Sequence, residues 1–354
     1  MRELVSFVII VRDREAARVR SLVDSVRASG GDPSFIVVDY GSSEAFAAEY
    51  TAVCAGLDLR YERMFTQGLP WSRSHALNRG ARLAGTRFVV TSDVDMLHAT
   101  NVLAYCLEGK EPKTMYHVDS YPLPRSGDRA KARLNGRNSG PFQFVDVGAF
   151  HEAGGYDEGI KFWGQEELDW VSRLQALGYR QEWLPEPHRI YHQWHPNSES
   201  GGRRPATADY ATFERCAANV LKPSLEQDWG RPVPREDRPI LARMEGDKPL
   251  RIDLEPNELG KFEGVKRLCK SSTKASFVQL AWGERLVRRP LSAIADPVAA
   301  LLRPVTALTG LSCVHKPNKN FDYFYAMLPA LQRDGLLDYF ISPDMSGACM
   351  LWAH

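Results

Sequence analysis

Apolar and polar positions alternate along the first hundred residues in two rhythms. Leu4–Val11 reads LVSFVIIV, a nearly unbroken apolar run with β-branched residues, which predicts a strand covered on both faces. Arg14–Ala28 follows with apolar residues at Ala17, Val19, Leu22, Val23 and Val26, a helical spacing. Phe35–Val38 repeats the strand rhythm and runs into Asp39-Tyr40-Gly41-Ser42-Ser43, a turn-rich segment whose serines predict the cap of a second helix. Leu57–Tyr61 predicts a third strand, Ser74–Leu83 a helix and Arg87–Thr91 a fourth strand. Strands alternating with helices predict an α/β domain on a mostly parallel sheet with helices on both faces.

The rhythm then loosens. Asn101–Leu107 predicts a helix and Thr114–Val118 a strand, while Ser120–Pro141, rich in Pro, Gly, Arg and Ser, reads as a long mobile loop of the kind that closes over sites. Phe142–Phe150 predicts a strand, Glu166–Leu177 a helix, and Arg189–His192 a short strand before the breaker QWHPNSESGGRRP. The breaker divides the chain into residues 1–204 and a mostly helical C-terminal extension, 205–354, of no assigned function. In the extension a helix is expected around Tyr210–Leu221 and a Pro-rich connector near Trp229–Pro239. A basic amphipathic stretch, Lys261–Lys274, and an apolar one, Leu291–Leu311, follow. Pro297 and Pro304 argue against a membrane span, so core packing is the better reading and a peripheral membrane or protein contact the other.

Composition narrows the classes. With 44% hydrophobic and 25% charged residues a sizeable core can form, and a net charge of +1 gives no support to a nucleic-acid binder held by phosphate neutralisation. Six scattered cysteines without a C-x-x-C read as reduced thiols. The N-terminal apolar run is too short and lacks the basic leader of a signal peptide, and no segment reaches the ~20 apolar residues of a membrane span. The expected setting is the cytoplasm, including the inner face of its membrane.

Candidate chemistry gathers at strand ends, where open α/β sheets bind ligands. Arg12 follows the first strand, Asp39 the second, and Asp93 and Asp95 the fourth. Two carboxylates one residue apart can share a hard divalent cation such as Mn2+ or Mg2+, which takes oxygen ligands and bridges phosphates. The plainer alternative is a pair of solvated loop aspartates. In GGYDEGIKFWGQEELDW, residues 154–170, glycines supply backbone freedom and Trp163 offers a stacking face to a sugar ring. Glu166 and Glu167 then fall in the first turn of a helix, where the macrodipole favours their ionised form and suits a general base. Successive helical positions point about 100° apart, so both cannot face one ligand; an acidic cap on an ordinary helix is the alternative. In YHQWHP, either His192 or His195 can complete the metal site. In GLPWSRSHALNRGA, Arg73 and Arg79 can neutralise a diphosphate and Asn78 can bond backbone near the metal loop, or all can lie on a solvated helix face.

Taken in order, VSFVIIVRDR, FIVVDYGSS, ALNRGA, FVVTSDVDM, GGYDE, FWGQEELDW and YHQ resemble the GT-A glycosyltransferases of family 2, and among them the chondroitin-polymerase and galactosyltransferase-like branch, over about residues 4–200. The resemblance implies a Rossmann-like nucleotide-sugar fold, a nucleotide-sugar donor (with UDP expected), a glycan or other hydroxyl acceptor, Mn2+ or Mg2+, and inversion at the anomeric carbon. It implies that Asp39 recognises the base, that Asp93 contacts ribose or metal, and that Asp95 coordinates the metal. By the same resemblance His192 is the later metal ligand, with His195 as its alternative, Glu167 is the base, and Glu166 helps hold the acceptor. Arg12, Arg73, Asn78 and Trp163 complete the expected donor site. The chain departs from the pattern at Ile10 and Arg12, where proline and tyrosine are usual, at Tyr40 in place of a second Asp, and at Gln165-Glu166-Glu167 in place of Gly-Glu-Asp. No glycine-rich phosphate loop follows the first strand, which speaks against a sugar nucleotidyltransferase or a dehydrogenase. A non-catalytic nucleotide-sugar- or glycan-binding scaffold is the alternative from another class.

Overall fold

Seven consecutive buried residues mark β1 (Val5–Val11) as an inner strand of the main sheet. The computed structural model that shows this describes residues 1–109, 111–134, 136–162, 164–196, 206–255, 257–261, 264–265, 267–268, 276–282, 286–290, 313–317 and 319–353. β2 (Ser34–Tyr40) and β4 (Phe88–Asp93) flank β1, both parallel to it, and β3 (Arg60–Met64) lies parallel beyond β2. On the other side β8 (Phe142–Asp146) runs antiparallel to β4, followed by β6 (Thr114–His117) and β9 (Arg180–Trp183). The order is β3-β2-β1-β4-β8-β6-β9.

Alternate residues of β1 feed two cores. Phe7, Ile9 and Val11 pack with Val19, Leu22, Val23 and Val26 of α1 (Ala16–Ala28). Val8 and Ile10 pack on the opposite face with Ala76, Leu77 and Ala81 of α3 (Arg73–Leu83) and Trp170 and Leu174 of α6 (Glu166–Ala176). Each such side chain contributes roughly 1.5–3 kcal/mol. A one-residue slip of β1 would exchange its two faces and lose both sets, which fixes its register.

Several boundaries differ from the expectation. Leu57 ends α2 (Glu44–Leu57) instead of starting a strand, because Asp58 turns left-handed at φ 56° and closes the helix. Ser43 stands at the start of α2 but its side chain makes no capping bond. The strand expected over 142–150 stops at Asp146, and α5 (Gly148–Ala153) takes up the rest. Residues 120–141 are not all loop: β7 (Ser120–Pro122) joins β10 (Ile190–His192) and β5 (Met96–His98) in a second, three-stranded sheet.

The first compact unit comprises residues 1–204 and 208–235, the second 205–207 and 236–354. The boundary expected at residue 204 thus gives way to one near 235. The reason is polar as well as apolar. Arg215 and Asn219 of α7 (Ala206–Leu221) carry the hydrogen bonds of the buried Asp157, and Trp229 packs on Phe150 and His151.

The second unit carries sheet beside the expected helix. Its described residues form a four-stranded sheet, β11-β12-β16-β15, from Leu250–Asp253, Phe277–Ala281, Gly347–Trp352 and Leu336–Ile341, with a separate antiparallel pair, β13 (Leu286–Pro290) and β14 (Cys313–Pro317). Two helices accompany them, α8 (Pro239–Gly246) and α9 (Asn320–Arg333). β15 and β16 join through a turn where Met345 adopts φ 58° and Asp344 accepts a hydrogen bond from Ser346 N, at 3.0 Å. The apolar stretch Leu291–Leu311 lies outside the described residues, as does much of Lys261–Lys274. Among the described residues no helix is long and apolar enough to cross a membrane.

Candidate functional site

Between β1 and β4 the sheet order reverses, and the carboxyl ends of these strands open the crevice where open α/β sheets take ligands. Asp93 ends β4, level with Ile10 of β1. Three residues on, the chain enters β5, and β10 pairs antiparallel with it so that His192 stands opposite Met96. Gln193 N donates to Asp95 O at 2.8 Å, which ties the two segments together at the site itself.

That pairing brings three side chains to one point. His192 Nε2 lies 3.2 Å and His195 Nε2 3.4 Å from Asp95 Oδ2, and one ligand atom from each of the three residues falls within 4.8 Å of the others. The imidazoles meet edge to face, with centroids 5.1 Å apart. Asp95 is 8% exposed, and its Oδ1 is buried with no hydrogen-bond partner. Burial works against the charge of Asp95, but the two histidines outweigh it and lower the carboxyl's pKa. The same pairing raises His192 against the effect of burial. A divalent cation fits this set: an orphaned buried oxygen is what it would satisfy, and two imidazoles with one carboxylate are donors such a cation accepts. The sequence offered His192 or His195, and the structure brings both to Asp95.

Asp93 is turned elsewhere. Its carboxylate, 35% exposed, accepts from Arg73 Nε at 3.0 Å. Arg73 is 5% exposed and also donates from Nη2 to Gly140 O at 2.7 Å, while Nε stands 3.8 Å from Glu166 Oε1. Burial opposes its charge, but Asp93 and Glu166 together raise its pKa above the ordinary value. Arg73 therefore holds two carboxylates in the crevice, while its Nη1 is buried with no hydrogen-bond partner.

The acidic helix α6 begins on unusual backbone. Phe162, Gly164 and Gln165 have φ of 69°, 104° and 76°. For the two non-glycine residues this conformation costs on the order of 1–3 kcal/mol each. The segment is pinned by Phe162 N donating to Trp71 O at 2.6 Å. Glu166 is 3% exposed, with Oε2 buried and unpartnered. Burial pushes its pKa up to about 7, with Glu167 adding to the rise and Arg73 restraining it. Glu167 is half-buried and lies against the loop before β8, where a Cβ at Gly140 would sit 3.6 Å from its Cδ. Trp163 lies outside the described residues.

Other expected donor-site residues are used for structure. Asp39 is fully buried: Oδ1 accepts from Ser42 N and Oδ2 from Tyr61 OH, each at 2.8 Å. Burial raises its pKa against those bonds. The carboxylate thus closes the turn after β2 and is not presented to a base. Asn78, also fully buried, clips the GGYDE turn, accepting from Tyr156 N at 2.8 Å and donating to Tyr156 O at 2.9 Å. This explains Gly155 (φ 73°): a Cβ there would meet Asn78 Oδ1 at 2.7 Å. Arg79 is paired with Glu62 at 2.6 Å. Arg12 is half-buried at the end of β1, donating to Leu69 O at 3.1 Å with its guanidinium 6.0 Å from the Tyr40 ring centre.

No protein-family model and no curated protein matches the chain. Solved structures do. The catalytic domain of Drosophila β1,4-galactosyltransferase 7, in complex with xylobiose, matches at a TM-score of 0.44 and 14% identity over 60% of this chain and 80% of that one. GalNAc-T7 with UDP, GalNAc and Mn2+ matches at 0.48 and 16% identity over 61% of this chain and 47% of that one. A mannosyltransferase from Pyrobaculum calidifontis, in complex with GDP-Man and Mn2+, matches at 0.44 and 16% identity over 94% of this chain and 87% of that one.

Sequence reading missed the support beneath the site. Asp169 and Arg173 of α6 pair at 2.8 Å, both fully shielded, and Asn219 Nδ2 bridges Asp169 Oδ1 at 2.9 Å and Asp157 Oδ2 at 2.7 Å. The only sequence signal was an Asp and an Arg four apart on a helix face otherwise apolar. Nothing in the sequence linked them to α7.

Proposed function

We propose that the chain is a metal-dependent, inverting glycosyltransferase of the GT-A type that moves a sugar from a nucleotide-sugar, with UDP as the expected carrier, to a hydroxyl of a glycan or other acceptor. The observation that carries the proposal is the convergence of Asp95, His192 and His195 on one point at the sheet's switch crevice. The ordered motifs resembling GT-A family 2 supply the reaction class. Asp95, His192 and His195 would hold Mn2+, which when bound supplies charge to stabilise a departing nucleoside diphosphate.

The chain's own groups divide the remaining work. Glu167 is the base: it stands in the first turn of α6, where the helix dipole favours its anion, and it is half-buried, within reach of a ligand. It takes the proton of the acceptor hydroxyl as that oxygen attacks the anomeric carbon. The carbon–oxygen bond to the diphosphate breaks on the opposite face, so the configuration inverts in one displacement. Glu166, buried beside Arg73, orients the sugar-binding side of the crevice instead of accepting that proton. Arg73 fixes Asp93, Glu166 and the Gly140 carbonyl relative to each other, so that donor and acceptor groups are held in register.

The test is a thermal-shift panel of nucleotide-sugars with and without Mn2+, followed by an assay of metal-dependent nucleotide-sugar turnover. At least one nucleotide-sugar should stabilise the chain only when Mn2+ is present, and Glu167→Gln should lower turnover by about a hundredfold or more while keeping that stabilisation. Absence of any metal-dependent nucleotide effect would refute the reading. Binding without turnover in the unaltered chain would favour a scaffold.

A further inference from the structure

Outside the crevice, arginines and aromatic rings interleave on the small sheet. Tyr121 of β7 and Tyr191 of β10 are register partners, with ring centres 6.3 Å apart. The Arg189 guanidinium stands 4.9 Å from the Tyr121 ring centre, Arg129 5.2 Å from Tyr191, and Arg125 5.2 Å from Trp194, which is 42% exposed. Side chains alternate along a strand, so Tyr191 occupies the face opposite His192. The tyrosine pair is thus next to the His192 segment yet on the face away from the crevice.

The charge there is not balanced. Arg189 is paired with Glu186, Lys131 with Asp128 at 3.5 Å and Arg137 with Asp119 at 3.5 Å. Arg125, Arg129 and Arg133 are exposed, and among the described residues no ion pair joins them to an acidic group; Arg133 Nη1 donates to Ala130 O and Ala132 O, each at 2.8 Å, which leaves its other nitrogens outward. Three uncompensated guanidiniums within one loop contrast with a chain whose net charge is only +1. The ring contacts of Arg125 on Trp194 and Arg129 on Tyr191 contribute roughly 0.5–1 kcal/mol each, enough to orient the loop while leaving its charge available to a ligand.

We propose that this surface is an exosite for a polyanionic glycan, a chain of sugars bearing regularly spaced carboxylate, sulfate or phosphate groups. The guanidiniums meet the anions in bidentate fashion, and the exposed Trp194 ring takes the C–H face of a sugar between them. That the bound glycan is the acceptor, gripped at a distance from its reacting hydroxyl, rests on the transferase reading. The binding itself does not.

The test uses the full chain without nucleotide or metal, so its outcome is separable from the fate of the transferase reading, which the nucleotide panel decides. Fluorescent hyaluronan, dextran sulfate and a phosphomannan are titrated by anisotropy beside neutral dextran and an oligo-dT of matched length. At least one anionic glycan should bind at least about tenfold more tightly than dextran, weaken steeply with added salt, and identify the anion preferred. The triple variant Arg125→Ala, Arg129→Ala, Arg133→Ala should lose about tenfold or more of that affinity, and Trp194→Ala should weaken it too. Both variants change exposed side chains, and their melting curves check that they fold. Affinity unchanged in the triple variant, no preference over dextran, or tighter binding of oligo-dT than of every glycan would each overturn the proposal.

Discussion

At the scale of single residues, the site shows how one buried atom decides a role. Asp95 Oδ1 has no partner, while both oxygens of Asp39 are engaged. Similar aspartates at neighbouring strand ends therefore part company, one open to a cation and the other closing a turn. Replacing Asp95 by Ala should weaken Mn2+ binding by at least about a hundredfold, since even outer partners of metal ligands are worth roughly 10–100-fold. His192→Ala and His195→Ala should each cost at least about tenfold by the same reasoning; Mn2+ titration by calorimetry checks all three. If His195→Ala binds Mn2+ as the unaltered chain does, His195 is only a neighbour. Glu166 gives a pH prediction. Its folded pKa of about 7 lies above the ordinary 4.5, so the folded state holds the proton more tightly than the unfolded state. Its stabilising contribution is full below about pH 4.5 and is lost as pH rises through 7, a difference of roughly 3 kcal/mol. Glu166→Gln, which mimics the protonated form, should therefore melt several degrees higher than the unaltered chain at pH 8 and about equally at pH 4.5. Equal melting at both pH values would show that Glu166 is ionised in the fold at little cost.

At the scale of elements, the legible part of the molecule was the part built from local rhythm. β1, β2, β4, α1 and α3 were readable because each buries residues at its own period, and the strand-end position of Asp93 and Asp95 came with them. Non-local bonding was not readable. β9 carries the polar sequence RQEW and is held by pairing with β6, and β7 exists only because β10 returns beside it. The pairing of β10 with β5 likewise made two metal-ligand candidates where one was expected. Asn219 is the extreme case, a polar residue on a surface helix that joins two buried carboxylates. Hydrogen bonds to charged groups contribute about 1.5–3 kcal/mol each, so Asn219→Ala should destabilise the first unit by roughly 3 kcal/mol or more. Because Asp169 shares α6 with Glu166 and Glu167, the carboxylates proposed for catalysis, turnover should fall in the same variant at temperatures where it remains folded. A melt and a rate measured together check this. An unchanged rate would mean that the start of α6 is held by the Phe162–Trp71 bond alone.

At the scale of the whole chain, the question is where the first unit ends. Pattern alone placed the end at the breaker around residue 204, because loop composition marks a boundary wherever it occurs. The contacts place it near 235. Residues 208–235 return to the first unit through three separate sets of groups. Arg215 and Asn219 bond Asp157, Leu225 N donates to Ala153 O at 2.9 Å, and Gly230 N donates to Glu158 Oε1 at 2.6 Å beside the buried Trp229. Removing them would strand the carboxylates of Asp157 and Asp169 in the interior without part of their hydrogen bonding, at a cost of several kcal/mol for each broken buried pair. That loss is comparable with the whole 5–15 kcal/mol stability of an ordinary domain. A chain ending at residue 235 should therefore fold, melt cooperatively and keep its metal-dependent response to nucleotide-sugars. One ending at residue 204 should be largely unfolded or aggregate on expression. If the shorter chain melts as cooperatively as the longer one, α7 and the Trp229 segment are accessories to a unit that is complete without them.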